Sequence, residues 1–173
     1  MKTDPAVLAA APPPGHYDID PDRSRVTFVT RHPFGLGRVK GSLAIRRGHA
    51  DIADPLEVSA LYAEIDTASF HTNNRQRDDR VRSPRFLDAA AHPVMTFRSD
   101  PIGAEDQALT GTLTVRGTTR PVTLAVTRCE LAGGSFTARA TTRVDRTEFG
   151  ITAARGLAAR YLDLTVEVQC TRN

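Results

Sequence analysis

The chain has 173 residues, 40% apolar and 25% charged, with a formal net charge of +3. That length suits one domain, and no apolar run approaches the ~20 residues that cross a bilayer as a helix. A sequence pI of about 9.2 on so small a net charge does not by itself imply a nucleic-acid partner.

With no tryptophan and few aromatics, the core must be mainly Val, Leu, Ile and Ala. The chain opens on MKTDPAVLAAAPPPGHY. Its apolar stretch, Ala6 to Ala11, is shorter than the ~7–15 residues of a signal-peptide core, and Asp4 and Pro5 spoil the basic start. Residues 1–15 therefore read as a disordered, Pro-rich tail of a cytoplasmic protein, and residues 16–171 as a single domain. Period-two alternation then dominates. Val26 and Phe28 share one face, with Arg25, Thr27 and Arg31 on the other. Val39, Leu43 and Ile45 alternate with Arg38, Lys40, Ser42 and Arg46. A third strand is expected over residues 55–66.

The alternation stops at residues 70–93, where Arg75, Arg77, Arg80, Arg82 and Arg85 mix with Asp78, Asp79 and Asp88. A long loop without structure is uncommon in a compact domain. Thr72, Asn73 or Asn74 can cap a helix over about 75–82, and Ser83-Pro84 can start a second that ends before Pro93. Phe86 and Leu87 are the apolar anchors. The segment is predicted to form one or two short helices beside the mouth of a pocket.

Strands resume at 94–99, 107–116, 121–130 and 135–145. A last strand is expected over 160–170, in which Leu162, Leu164, Val166 and Val168 face away from Asp163, Thr165, Glu167 and Gln169. Turn residues at Gly103, Arg116-Gly117 and Gly133-Gly134 leave links too short for crossover helices, so neighbours should pair antiparallel. About eight such strands with one apolar face each predict an all-β, up-and-down barrel, which leaves no sheet edge; a β-sandwich is the alternative. Strand parity turns Val26, Phe28, Leu61, Ile65, Met95, Phe97, Leu113, Leu124, Val126, Phe136, Leu164 and Val166 inward, and a bulge would reverse everything beyond it.

The chemistry-bearing residues are sparse. His16, His32, His49, His71 and His92 have no metal-ligand spacing, and no cysteine motif accompanies them. No serine lies in a nucleophile elbow, so no catalytic residue and no metal site is assigned. Cys129 and Cys170 read as buried or half-buried thiols. Phe34-Gly35-Leu36-Gly37 joins two strands and opens no helix, so its glycines read as a turn. The arginine cluster is either a solvated helix face or an oxyanion contact, since arginine donates bidentately to phosphate or carboxylate. Arg77 could serve a head group or pair with Asp78 or Asp79. No aromatic stacking platform accompanies the arginines, so RNA is not expected.

Taken together, these residues resemble the YceI-like family of polyisoprenoid-binding, lipocalin-like bacterial proteins. The resemblance runs from about Tyr17 to Val168. It is carried by YDIDPDRSRVTFVTRHPFG, VKG at 39–41, IDTASFHTNNRQRDD, SPRFLDAAAHPVMTFRS, GTLTVRGTTRPVTL and DRTEFGI, in family order. The chain departs from the family's usual pattern at Arg80, where a histidine is common, at His92, where an aromatic is common, and at Ala159-Arg160, where acids are common.

The resemblance implies a barrel that holds a long apolar chain, such as a polyprenyl phosphate, quinone or fatty-acyl compound. On that reading the inward residues above, with Phe86, line the pocket. His32, His71, Arg75, Arg77 and Arg80 are candidates for the head group. No cofactor is expected beyond an isoprenoid or quinone-like lipid that co-purifies. The ligand is the expected partner, and the reading allows transient membrane contact and a homodimer. Non-enzymatic binding, transport or storage is the expected function. An accessory protein or enzyme of quinone or isoprenoid metabolism, or an interaction module with a closed core, is the alternative.

Overall fold

The structure, a computed structural model, describes residues 11–31, 37–102 and 108–173. Nine strands form one antiparallel sheet: β1 Gly15–Ile19, β2 Arg25–Arg31, β3 Arg38–Ile52, β4 Ala60–Asp66, β5 Val94–Ser99, β6 Ala108–Val115, β7 Thr118–Ala132, β8 Ser135–Asp145 and β9 Tyr161–Arg172. The sheet closes on itself, because β3 pairs with β4 as well as with β1 and β2, and β9 pairs with β1, β2 and β8. β1 and β2 both lie between β3 and β9, so they are two halves of one stave. The molecule is thus the expected eight-staved antiparallel barrel, and the sandwich alternative is set aside.

The break in the first stave has a local cause. Pro21 begins a short 3-10 turn, and the Asp20 carboxylate accepts from the Asp22 amide across it. Ser24 mends the gap, its Oγ accepting from the Gln169 amide of β9. β1 was not foreseen as a strand; it is short and carries a glycine and a histidine where a longer alternation would show. Residues 55–59, expected as the start of the third strand, form a turn with Leu56–Val58 in 3-10 conformation. Ser59 holds it by accepting from the Ala53 amide.

Two bulges alter the inward register. One lies between Ile45 and Arg47 on β3, the other between Val126 and Arg128 on β7. Beyond the first, Ala50 and Ile52 are buried, while Arg47, His49 and Asp51 carry the polar outer face. Beyond the second, Cys129 is the buried residue.

The staves alternate direction, so connections fall at two ends. At one end lie the links β2–β3, β4–β5, β6–β7 and β8–β9; at the other lie β3–β4, β5–β6, β7–β8 and the outer termini of β1 and β9. The β4–β5 link holds α1, Arg75–Arg82. Asn74 caps it, accepting from the Arg77 amide. The second helix expected over 84–91 is instead a run of turns, in which Leu87, Asp88 and Ala89 donate to the carbonyls of Val81, Ser83 and Arg82. Asp88 takes a positive φ of 50° there, which breaks any continuing helix.

This link seals its end of the barrel. Phe70 stacks on Phe28 with ring centroids 5.1 Å apart, and Phe86, Phe149 and Ile151 are buried in the same core. Gly41 stands directly opposite Phe28 on β3, and a Cβ there would run into the Phe28 ring and the His71 carbonyl. The glycine is what lets that ring lie flat inside the wall. On the outer face Arg47 grips Glu64 with two hydrogen bonds of 2.8 Å, and the Tyr62 hydroxyl adds a third at 2.7 Å. These contacts hold the Glu64 carboxyl down at about 2.

Gly41→Ala is expected to lower stability by about 1–3 kcal/mol, since the ring must shift or the strand bow outward. A fall in the urea midpoint at unchanged slope checks this. For Glu64 the folded-state value lies below the ordinary one near 4.5. Its contribution is therefore complete above that value and disappears as pH falls toward 2. Glu64→Gln should be less stable than wild type at pH 7, and the two stability curves should converge as pH falls through that window.

Candidate functional site

Among the described residues the interior is filled at one end and open at the other. In the sealed half, rings and large side chains meet: Phe28, Phe70, Phe86, Phe149, Met95, Val115 and Ile151 are buried together. In the other half lies a cavity of about 280 Å³. Its wall is formed by Ile19, Ile52, Leu61, Tyr62, Ala63, Phe97, Ala108, Leu109, Leu124, Val126, Cys129, Phe136, Ala138, Ala140, Val166, Val168 and Cys170. Ala11, Pro12, Leu56 and Ile102 contribute from the open end. The space exists because alanines at 63, 138 and 140 occupy inward positions where the sealed half has rings. Gly111 lies two residues along β6 from the lining residue Leu109, and an added Cβ there would strike the Arg98 carbonyl and the Phe97 ring.

Among the described residues no charged side chain lines this cavity. Its two thiols are free and buried. Burial pushes the Cys170 thiol up to about 12 and raises Cys129 as well. Both stay protonated at neutral pH and act as weakly polar lining instead of as nucleophiles.

The N-terminal segment is fastened at the mouth. The Tyr17 hydroxyl donates to the Pro13 carbonyl at 2.7 Å, and Arg172 Nη2 donates to the Pro14 carbonyl at 2.8 Å. Tyr17 itself is anchored edge-on against Phe136, with ring centroids 5.0 Å apart. Gly15 makes room for the Arg172 guanidinium, since a Cβ there would sit 2.9 Å from Nε. Residues 11–14, read from sequence as part of a disordered tail, thus have defined partners. Residues 1–10 lie outside the described residues.

Of the inward residues expected to line a pocket, Leu61, Phe97, Leu124, Val126, Phe136 and Val166 do border the cavity. Val26, Phe28, Ile65, Phe86, Met95, Leu113 and Leu164 belong to the packed core or lie against it. They are spent on filling the barrel and do not border the open space. Ile19, Ile52 and Cys129 were missed because β1 and the two bulges were not foreseen, and Cys170, which continues the β9 parity two residues beyond Val168, was not counted among the inward residues.

The position expected for the 70–93 segment is corrected. It closes the end opposite the mouth, since β4 finishes and β5 begins there, at Asp66 and Val94. His71, Arg75, Arg77 and Arg80 therefore stand far from this cavity. His71 bridges to Ser42 through two backbone hydrogen bonds, and its Nε2 lies 2.7 Å from Asn73 Oδ1. Arg77 donates to the Thr72 hydroxyl and carbonyl at 2.8 and 3.1 Å. Thr72 in turn is held by the buried Asp78 carboxylate, so Arg77 braces the start of the helix. Arg75 is solvent-exposed beside Asp79, and Arg80 is exposed. His32 lies outside the described residues, as does part of the Phe34–Gly37 turn.

The model of the YceI-like domain family matches residues 17–171. A UPF0312 protein of Azotobacter vinelandii is 32% identical over 137 residues, which cover 70% of this chain and 67% of that one. Among solved structures, BcnA of Burkholderia cenocepacia superposes with a TM-score of 0.76 at 21% identity, over 88% of this chain and 99% of that one. A polyisoprenoid binding domain from Saccharophagus degradans, implicated in plant cell wall breakdown, gives a TM-score of 0.70 at 16% identity, over 91% and 98%. At these identities the two structures share the fold.

Arg172→Ala removes the donor that ties Pro14 across the rim. An apolar fluorescent dye should then enter and leave the cavity faster in stopped-flow mixing, with its equilibrium affinity and the melting temperature changed little. Unchanged rates would show that residues 11–14 do not obstruct the mouth.

Proposed function

This chain belongs to the YceI-like domain family, and from that premise we propose that it is a non-enzymatic carrier or store for a lipid with an apolar chain. The chain is of isoprenoid, quinone or fatty-acyl kind, and it lies in the cavity at the open end of the barrel. The observation that carries this reading is the cavity itself: about 280 Å³ of space whose described lining is aliphatic, aromatic and thiol.

The energetics favour such an occupant. Each methylene moved from water into an apolar site contributes roughly 0.8 kcal/mol. Part of that is offset by the cost of immobilising the ligand. No specific polar contact is needed for binding, which suits a wall with almost no hydrogen-bonding groups. A small barrel holds one ligand when its inward side chains are too small to fill it, as the alanines at 63, 138 and 140 are here. The printed description of the Saccharophagus degradans domain as polyisoprenoid-binding points the same way.

Catalysis would need an acid–base pair or a nucleophile against the ligand. The titratable groups in the wall are two thiols that burial keeps protonated and Tyr62, whose hydroxyl is committed to Glu64. That set suits holding a molecule better than transforming one.

Purified protein should carry a lipid through purification. Native mass spectrometry should show a one-to-one mass excess that organic extraction removes. Protein that shows no mass excess and takes up no added lipid would overturn the reading.

A further inference from the structure

Resting on the reading of the cavity as a lipid site, we propose that it encloses a chain of only about ten to twelve carbons and selects an uncharged head group. The depth of the cavity, the packed floor beneath it and the charges around its rim point together to this ligand class.

Depth comes first. Val166, Val168 and Cys170 are successive inward residues of β9, and all three border the cavity. At ~3.3 Å per residue that wall is about 13 Å tall. An extended chain advances about 1.2 Å per bond, from the ~3.6 Å that three backbone bonds span in a residue. The wall therefore covers about eleven bonds. The volume gives a similar but slightly smaller figure: about 280 Å³ holds roughly nine groups at the ~30 Å³ that a water takes in the liquid.

Below this depth the barrel has no room. Met95 is buried one inward position beyond Phe97 on β5, and Ile65 pairs across from it on β4. Phe28 and Phe70 stack beneath them in the sealed half. A longer chain must leave its remaining carbons outside the rim, where they gain little from burial.

The head group would meet acids. Asp54, Glu57 and Asp100 are exposed at the open end, near the lining residues Leu56 and Ile102, while Asp51 beside Ile52 is paired with His16. Among the described residues the guanidinium groups of that end are held by neighbours, and Arg128 is the one paired with a carboxylate. Arg172 donates to Pro14, Arg128 pairs with Glu130, and Arg98 lies over the Tyr62 ring. A carboxylate or phosphate at the mouth would face like charge, whereas an alcohol, aldehyde or quinone would not. Arg80 and Arg85, exposed arginines that could greet an anion, stand at the sealed end.

The test is a chain-length series of straight alcohols from six to sixteen carbons, with the matching carboxylates, measured at pH 7.5 by displacement of an apolar dye. Alcohol affinity should rise about fourfold per added methylene, then level off near ten to twelve carbons. The carboxylate of equal length should bind at least tenfold more weakly at low salt, and the gap should narrow as salt screens the rim. In Phe97→Ala and Met95→Ala the plateau should move to chains two to four carbons longer. Affinity that climbs unbroken to sixteen carbons, or a plateau unmoved in both variants, overturns the assigned depth. A carboxylate that binds as well as its alcohol overturns the head-group selection. Failure of every compound to bind would instead strike at the lipid reading itself.

Discussion

A closed barrel has an interior of fixed girth, and what its side chains fail to fill stays empty. In this chain that constraint acts through a scarcity of large residues. There is no tryptophan, and phenylalanine occurs only seven times. Phe28, Phe70, Phe86 and Phe149 are gathered in the sealed half. Phe97 and Phe136 are left to border the other half, which is otherwise walled by short aliphatic side chains. The cavity is the complement of that distribution. The close approaches at Gly41 and Gly111 follow from it too, since each ring needs a wall position with no Cβ.

Much of the barrel was legible from the alternation of residues. The parity of β9 and of β8 reads directly, because both strands run without a bulge. The two bulges could not be read, since one extra residue in a polar stretch such as Ile45-Arg46-Arg47 or Val126-Thr127-Arg128 leaves no mark on composition. That is why Cys129 and Ile52 were missed. The division of the interior into a packed and an empty half was also hidden. Val26 and Val166 are alike as letters and pair with each other, yet one belongs to the core and the other to the cavity wall.

The misplaced mouth is a different kind of error. A dense arginine cluster beside apolar anchors suggested a portal for an anionic head group. Yet in an up-and-down barrel consecutive links alternate between ends, and this was available without coordinates. The two long links, at 67–93 and 146–160, fall at the same end, which they share with the short β6–β7 link. Length there goes with sealing. The 146–160 link is pinned by Arg146, a buried arginine that donates to the carbonyls of Ala159, Ile151 and Ala158 and lies over the Phe86 ring. Burial lowers its pKa, and the carbonyls take the place of a carboxylate partner. Here arginine works as a structural bracket for loops, as Arg77 does for the start of α1.

The first stave pairs with the last, and Thr27 donates to a carbonyl 138 residues away. Contacts of such sequence separation are the slow part of folding, because loop closure must precede any reward from them. During synthesis β1 and β2 can pair with β3 early, but their other neighbour is the last strand made. Until β9 docks, the cavity lacks the wall that Val166, Val168 and Cys170 supply. The cavity thus comes into existence late, when the final strand zips between the first stave and β8 and brings Leu162 and Leu164 to the core in the same step.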